Sequence, residues 1–129
     1  NRAIEFNINL NNSKKSNDSD LQGDNDLIKK ALFFLIENAW KFTKDVPNAV
    51  ITFGEEDVKG EHFFYLYNNG PNLPHEENIF DLFYGKRSGH DKAGLGIGLP
   101  LAKLIFEKHG GSLWAKNNEE GGVKFYFKF

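Results

Sequence analysis

Residues 27–43, LIKKALFFLIENAWKFT, constrain this chain more than any other stretch. Leu27, Ile28, Ala31, Leu32, Leu35, Ile36 and Ala39 recur at helical spacing and predict a broad buried stripe. Asn38 sits on one edge of that stripe. Phe34 lies four residues before it, and Lys41 and Phe42 lie three and four residues after it. All four project from neighbouring turns of one helix face. The rim of a core thus carries a neutral oxygen ligand, a cation and two aromatic rings. Such a set can hold a metal-bound polyphosphate beside a flat base. A lone Asn in a helix is ordinarily exposed or locally hydrogen-bonded, so this reading depends on the stretches C-terminal to the helix.

The rest of the chain supplies strands and one more long helix. Residues 3–10, AIEFNINL, alternate apolar and polar side chains as a half-buried strand does. Residues 11–26 are rich in Asn, Ser, Lys and Asp and read as a mobile loop, with Asp24 or Asn25 able to cap the long helix. That helix is expected to stop near 45–47, because Pro47 restricts the residue before it. Residues 49–53 and 62–68 read as two strands joined by a charged, Gly-containing turn. NNGPNLP, 68–74, is a turn by composition, and NIFDLFY, 78–84, a short helical turn showing Phe80 and Phe83. GKRSGHDKAG, 85–94, is a basic, glycine-punctuated loop. GLGIGL, 94–99, leads into a second helix over 99–108, with Pro100 in its first turn and Gly110 and Gly111 at its end. Residues 111–116 and 123–129 close the chain as strands around Glu-Glu-Gly-Gly. Five strands and two long helices predict an α+β fold: a two-layer α/β sandwich, with a mixed sheet of about five strands covered by helices on one face.

Composition narrows the function classes. The 129 residues fit one domain, and 13 Phe allow a sizeable core. A net charge of -2 and a pI near 6.1 argue against a general nucleic-acid or membrane surface. The absence of Cys excludes disulfides and thiolate metal sites, and the four His make no zinc spacing. The chain begins with Asn and has no Met, which predicts a domain excised from a longer protein.

Gly94, Gly96 and Gly98 alternate before a helix, where bare backbone approaches a phosphate closely and the helix N-terminus adds N–H donors. The pattern alone is weak, since many loops carry it. Neither the P-loop nor the dinucleotide fingerprint fits: no Gly-Lys-Ser/Thr follows and no strand directly precedes. Lys86, Arg87, His90 and Lys92 read either as a solvated face or as cations of a lid folding over a phosphate tail, hinged at Gly85, Gly89 and Gly94. Asn68, before Gly70, is either a turn cap or an acceptor for the exocyclic amine of a purine.

These pieces in this order resemble the catalytic and ATP-binding domain of sensor histidine kinases, within the superfamily that includes gyrase, Hsp90 and MutL. LIENAWKFT is similar to the N box, NNGPNLP to the G1 box, IFDLFYGK to the F box and GLGIGL to the G2 box. LAKLIFEKHGGSLWAKNNEEGGVKFYF resembles the family's C-terminal helix and strand pair, so the likeness covers nearly the whole chain. The resemblance implies the Bergerat-type ATP-binding fold, with ATP and Mg²⁺ as cofactors. It implies that Asn38 coordinates Mg²⁺, that Lys41 reaches a phosphate, and that Phe42 packs on adenine. Asn68, Gly70 and Asn72 then form the base end, and Lys86 and Arg87 belong to the lid. Gly94, Leu95, Gly96, Ile97, Gly98 and Leu99 wrap the phosphates, while Phe80 and Phe83 anchor the lid's start.

Three positions depart from the pattern. Asn68 replaces the Asp that reads the adenine amino group, and Asn72 replaces a Gly. The lost charge predicts weaker adenine binding, by about 1–3 kcal/mol. Phe34 stands where gyrase, Hsp90 and MutL place the Glu that activates water, so an ATP-hydrolysing machine is not expected. The expected function is phosphoryl donation from Mg-ATP to a histidine on a separate helical dimerisation domain, with a response regulator downstream. None of the four histidines lies in a phosphoacceptor-like segment, so the acceptor is expected before Asn1 in a homodimeric parent. The isolated domain would be monomeric and cytoplasmic, whether or not the parent is membrane-anchored. Two other readings share the sequence: an anti-sigma-type serine kinase domain, and a docking module that has lost nucleotide.

Overall fold

The amphipathic stretch forms helix α1, Asn25–Phe42, in the computed structural model of the chain, which describes residues 4–9, 25–74, 76, 79–80 and 95–129. Ile28, Ala31, Leu35 and Ala39 of the predicted stripe are buried. Leu27 and Ile36 are not, at 41% and 45% exposed. They lie at the two margins of the apolar arc, where the opposing layer no longer covers the helix. At the C-terminal end the Thr43 hydroxyl, itself buried, donates to the carbonyls of Ala39 (2.9 Å) and Trp40 (3.2 Å). The Ala39 carbonyl also accepts the Thr43 N–H (3.2 Å), so backbone and side chain of Thr43 together close the last turn.

The strands are β1 (Ile4–Asn9), β2 (Ala49–Val58), β3 (Glu61–Asn68), β4 (Ser112–Asn117) and β5 (Val123–Lys128). They form one sheet in the order β1-β2-β3-β5-β4, parallel between β1 and β2 and antiparallel elsewhere. The parallel pair follows from the helix between its strands, since a crossover must carry the chain back to the same edge. Helix α1 and a second helix, α2 (Leu95–Lys108), lie together on one face. The fold is α+β, a mixed five-strand sheet with two helices among the described residues.

Strand alternation decides the two faces of the sheet. Ile51, Leu66, Phe125 and Phe127 enter the core with Leu113 and Ala115 and meet Leu35, Ala39, Ala102 and Phe106 from the helices. The opposite face carries no helix among the described residues and covers itself with aromatic rings. Trp114 stacks on Tyr126 with ring centroids 4.3 Å apart, and Phe63 packs edge-on against Trp114. Glu56 lies on the same face and accepts from the Lys124 ammonium (2.9 Å) and the Tyr126 hydroxyl (3.0 Å).

Four boundaries differ from those expected, the first being the end of α1, which stops at Phe42 rather than near 45–47, where the Thr43 contacts close its last turn. Strand β2 runs on to Val58, and the turn shrinks to Lys59–Gly60, both with positive φ (52° and 84°). A two-residue turn of this kind matches strand twist, and cross-strand partners hold the acidic residues in the ladder: Glu56 as above, and Glu55 through His62 (2.8 Å). Helix α2 begins at Leu95 rather than 99, which puts Pro100 inside the helix instead of in its first turn. Packing against α1 outweighs the weak helical preference of the glycines there. Gly111 belongs to the connection and not to β4. Gly110 (φ 82°) ends α2 with Gly110 N–H on the Glu107 carbonyl (3.1 Å) and Gly111 N–H on the Phe106 carbonyl (2.8 Å), a Schellman arrangement. The expected loops at 11–24 and 85–94, and most of the short turn at 78–84, lie outside the described residues.

Two measurements check this packing. Leu35→Ala removes a buried side chain at the centre of the helix–sheet contact and is expected to lower unfolding free energy by about 2–5 kcal/mol in a urea titration. The second concerns pH. Burial acts to lower the Lys124 pKa, but its hydrogen bond to Glu56 and the charges of Tyr126, Glu56 and Tyr65 outweigh it and leave the pKa raised from 10.5. Burial, then the hydrogen bond to Glu56, raises Tyr126 from 10.0. Both groups hold their protons more tightly folded than unfolded. The stability they contribute is complete below about pH 10 and is lost as pH climbs through the raised values. Stability measured above pH 10 should fall, and less steeply in Glu56→Gln.

Candidate functional site

The C-terminal half of α1 lies beside the end of β3, and the candidate site is built at that junction. Asn38, Lys41 and Phe42 come from the helix, and Asn68 and Gly70 from the strand end and the turn after it. Alternation along β3 points Phe64, Leu66 and Asn68 toward the helices, so Asn68 is a polar side chain at a core-facing position. Gly70 makes the close approach possible. A methyl group there would lie 2.6 Å from the Phe42 carbonyl oxygen and 2.9 Å from Asn68 Oδ1.

Asn38 is 2% exposed, and neither its Oδ1 nor its Nδ2 has a hydrogen-bond partner among the described residues. Leaving a buried polar group unpaired costs about 1–3 kcal/mol, and native structures rarely do so without a reason. Asn68 is 0% exposed; its Oδ1 accepts the Gly70 N–H (2.8 Å), while its Nδ2 has no partner among the described residues. Two buried carboxamides thus leave three polar atoms unsatisfied within one region of the fold. A neutral amide oxygen suits a hard cation such as Mg²⁺, so the donor set fits the ion that the sequence resemblance implies.

The second helix joins the same region. A methyl group at Gly98 would lie 3.4 Å from the Phe34 ring, one turn before Asn38 on α1. Leu95, Gly96 and Ile97 form the first turn of α2, where N–H groups lack intrahelical partners. Leu99 is a core residue, 2% exposed, so its side chain belongs to packing. Gly98 likewise has a packing role against Phe34. Lys41 lies 3.7 Å from the Glu37 carboxylate, one turn back on α1. Phe42 is partly buried against the core, and Asn72 is exposed. Phe80 packs edge-on against Phe125 with Lys103 Nζ 5.2 Å from its centroid. Phe83, Lys86, Arg87 and Gly94 lie outside the described residues.

The structure adds residues that sequence reasoning missed. The Asn117 side chain clamps the turn at 70–74, accepting the Leu73 N–H (2.7 Å) and donating to the Leu73 carbonyl (2.9 Å). Its own N–H donates to Glu76 (2.6 Å). Asn69 fixes the other side, accepting the Val50 N–H (2.8 Å) and donating to the Asn48 carbonyl (2.9 Å). No local signal marks either residue, because their partners lie 19 to 44 residues away.

A model of the histidine kinase-, DNA gyrase B- and HSP90-like ATPases matches residues 23–129. The chain belongs to this family. The sensor protein KdpD of Escherichia coli strain K12 is 34% identical over 105 residues, covering 79% of this chain and 11% of KdpD. The methanogenesis regulatory histidine kinase FilI of Methanothrix harundinacea is 31% identical over 102 residues, covering 78% of this chain and 11% of FilI. Among solved structures, the catalytic domain of histidine kinase ThkA superposes with a TM-score of 0.69 at 29% identity, covering 96% of this chain and 76% of that one. ThkA in complex with its response regulator TrrA matches with a TM-score of 0.68 at 28% identity, covering 96% of this chain and 33% of that one. Family, relatives and neighbours agree on the ATPase domain of sensor histidine kinases. The chain spans only about a ninth of the length of the two curated relatives. Among the described residues no helix is long and apolar enough to cross a membrane.

Asn38→Ala and Asn117→Ala are expected to act in opposite directions on the nucleotide-free domain. The first removes a buried group with no partner and should leave stability unchanged or raise it by up to about 2 kcal/mol. The second breaks two side-chain hydrogen bonds and should lower stability by about 1–3 kcal/mol. Paired denaturant titrations of the two variants read both signs.

Proposed function

We propose that this domain binds Mg²⁺–ATP and donates the γ-phosphoryl group to a histidine on a separate helical dimerisation domain of a two-component signalling protein. The observation that carries the reading is the carboxamide of Asn38, buried and without a partner among the described residues, one helical turn from the Phe34 ring that Gly98 of α2 meets. Mg²⁺, when bound, would neutralise phosphate charge. Asn38 Oδ1 would help hold that ion, and Lys41 would offer its ammonium to a phosphate oxygen. Phe42 gives the base an apolar wall, while Asn68, Gly70 and Asn72 form its polar end. The backbone N–H groups at the start of α2 would receive the phosphate chain, and Lys86 and Arg87, outside the described residues, would add positive charge.

Phe34 shapes the choice of acceptor. It puts an aromatic ring where a water-activating base would have to stand, so no side chain of α1 at that position can deprotonate water. Positioning and charge neutralisation supply most of the catalysis in phosphoryl transfer, so the domain can present a phosphoryl group without its own base. The acceptor then comes from the homodimeric parent, and a response regulator receives the phosphoryl group next, the kind of partner with which ThkA has been solved. A need for ATP puts the domain on the cytoplasmic side of any membrane the parent occupies.

Calorimetric titration of the domain with a non-hydrolysable ATP analogue tests the proposal. Binding should need Mg²⁺ for full strength, and Asn38→Ala should weaken it about tenfold or more, the worth of one lost metal ligand or charged hydrogen bond. Failure of the folded domain to bind analogue at millimolar concentration would refute it. Incubated alone with labelled ATP, the fragment should retain no acid-labile phosphate.

A further inference from the structure

The base end of the site carries the wrong polarity for an adenine-only pocket. An asparagine side chain has one acceptor prong and one donor prong. Which prong faces the ligand is fixed here by the backbone. Asn68 Oδ1 accepts the Gly70 N–H at 2.8 Å. Turning the amide over would set Nδ2 against that N–H, donor against donor, in a fully buried position. The Phe42 carbonyl crowds the same side of Gly70, where an added methyl would lie 2.6 Å from it, so the turn packs closely against both groups. The prong left over is therefore Nδ2, buried, with two N–H groups and no acceptor among the described residues.

We infer that Asn68 makes this site accept 6-oxopurine nucleotides at least as well as adenine nucleotides. The inference rests on the nucleotide reading above and concerns which base that site takes. An aspartate at this position would keep one oxygen on the Gly70 N–H and turn the other toward the ligand. That second oxygen accepts from an exocyclic amine and repels a carbonyl. In Asn68 the same place is held by a donor. It pairs with the O6 acceptor of guanine or hypoxanthine and meets the N6 amine of adenine donor to donor. Adenine is still served if its amine uses the second lone pair of Oδ1, already shared with Gly70, so it is retained but loses its advantage.

The test compares Mg²⁺ complexes of ATP, ITP and GTP by calorimetry on the 129-residue chain, beside Asn68→Asp and Asn68→Ala. ITP isolates the effect, because hypoxanthine exchanges the 6-amine for an oxygen without adding the 2-amino group of guanine. The expected result is ITP bound as tightly as ATP or more tightly. Asn68→Asp should shift the ATP-to-ITP ratio toward ATP by about tenfold or more, and Asn68→Ala should bring it close to one. A wild-type preference for ATP over ITP beyond about tenfold would overturn the inference while leaving the nucleotide reading intact. So would a ratio that Asn68→Asp, shown folded by circular dichroism, leaves unchanged. If no nucleotide binds to the folded wild-type chain, the nucleotide reading and this inference fall together. The wild-type ratio decides the matter even if either variant does not fold.

Discussion

The seating of α1 on the sheet is the contact on which the rest of the molecule depends. Ala31, Leu35 and Ala39 form the centre of its buried face and meet Ile51 and Leu66 from the middle strands. Two of the three are alanines, so the helix axis can come close to the sheet. That closeness carries a consequence for the neighbouring turn. Asn38 lies next to Ala39 on the helix and is taken out of water with it. The end of β3 reaches the same level, and Gly70 lets its backbone touch the Phe42 carbonyl. A hydrophobic contact thereby positions polar groups that have no structural need to be there.

The carboxamide of Asn38 and the Nδ2 of Asn68, unpaired among the described residues, oppose folding, and the core offsets that cost. Each unpaired buried atom opposes folding, while Leu35, Leu66, Phe106 and Phe125 supply the apolar burial that tolerates it. Asn117 and Asn69 show the contrasting use of the same residue type. Their side chains are fully engaged with backbone groups and hold the turn at 70–74 in place. Satisfied amides at 69 and 117 hold the turn, while three polar atoms of Asn38 and Asn68 have no partner among the described residues.

Phe34 links packing and chemistry. Its ring fills the approach between α1 and α2, against Gly98 and beside Phe33. An acidic or amide side chain there would face a helix–helix contact with little polar company. The residue that packs on Gly98 of α2 is therefore one whose side chain can act as neither acid nor base.

The sequence by itself determined the elements and the family. The apolar period of residues 27–43, the β-branched and aromatic runs and the four ordered boxes are local patterns, and local patterns survive without knowledge of partners. They sufficed for five strands, two helices and one helical layer, and they named Asn38, Lys41, Phe42 and Asn68 as candidates. The tertiary structure decided what no local pattern contains. Strand β2 continues through Glu55, Glu56 and Asp57 because cross-strand partners hold all three acids, and α2 begins at Leu95, with Gly98 packed on Phe34. Asn117 became a clamp through contacts 41 and 44 residues distant. Asn68 illustrates the division most clearly. Its letter says only that a carboxamide replaces a carboxylate. The fold shows that its Oδ1 accepts the Gly70 N–H, which leaves its Nδ2 without a partner among the described residues.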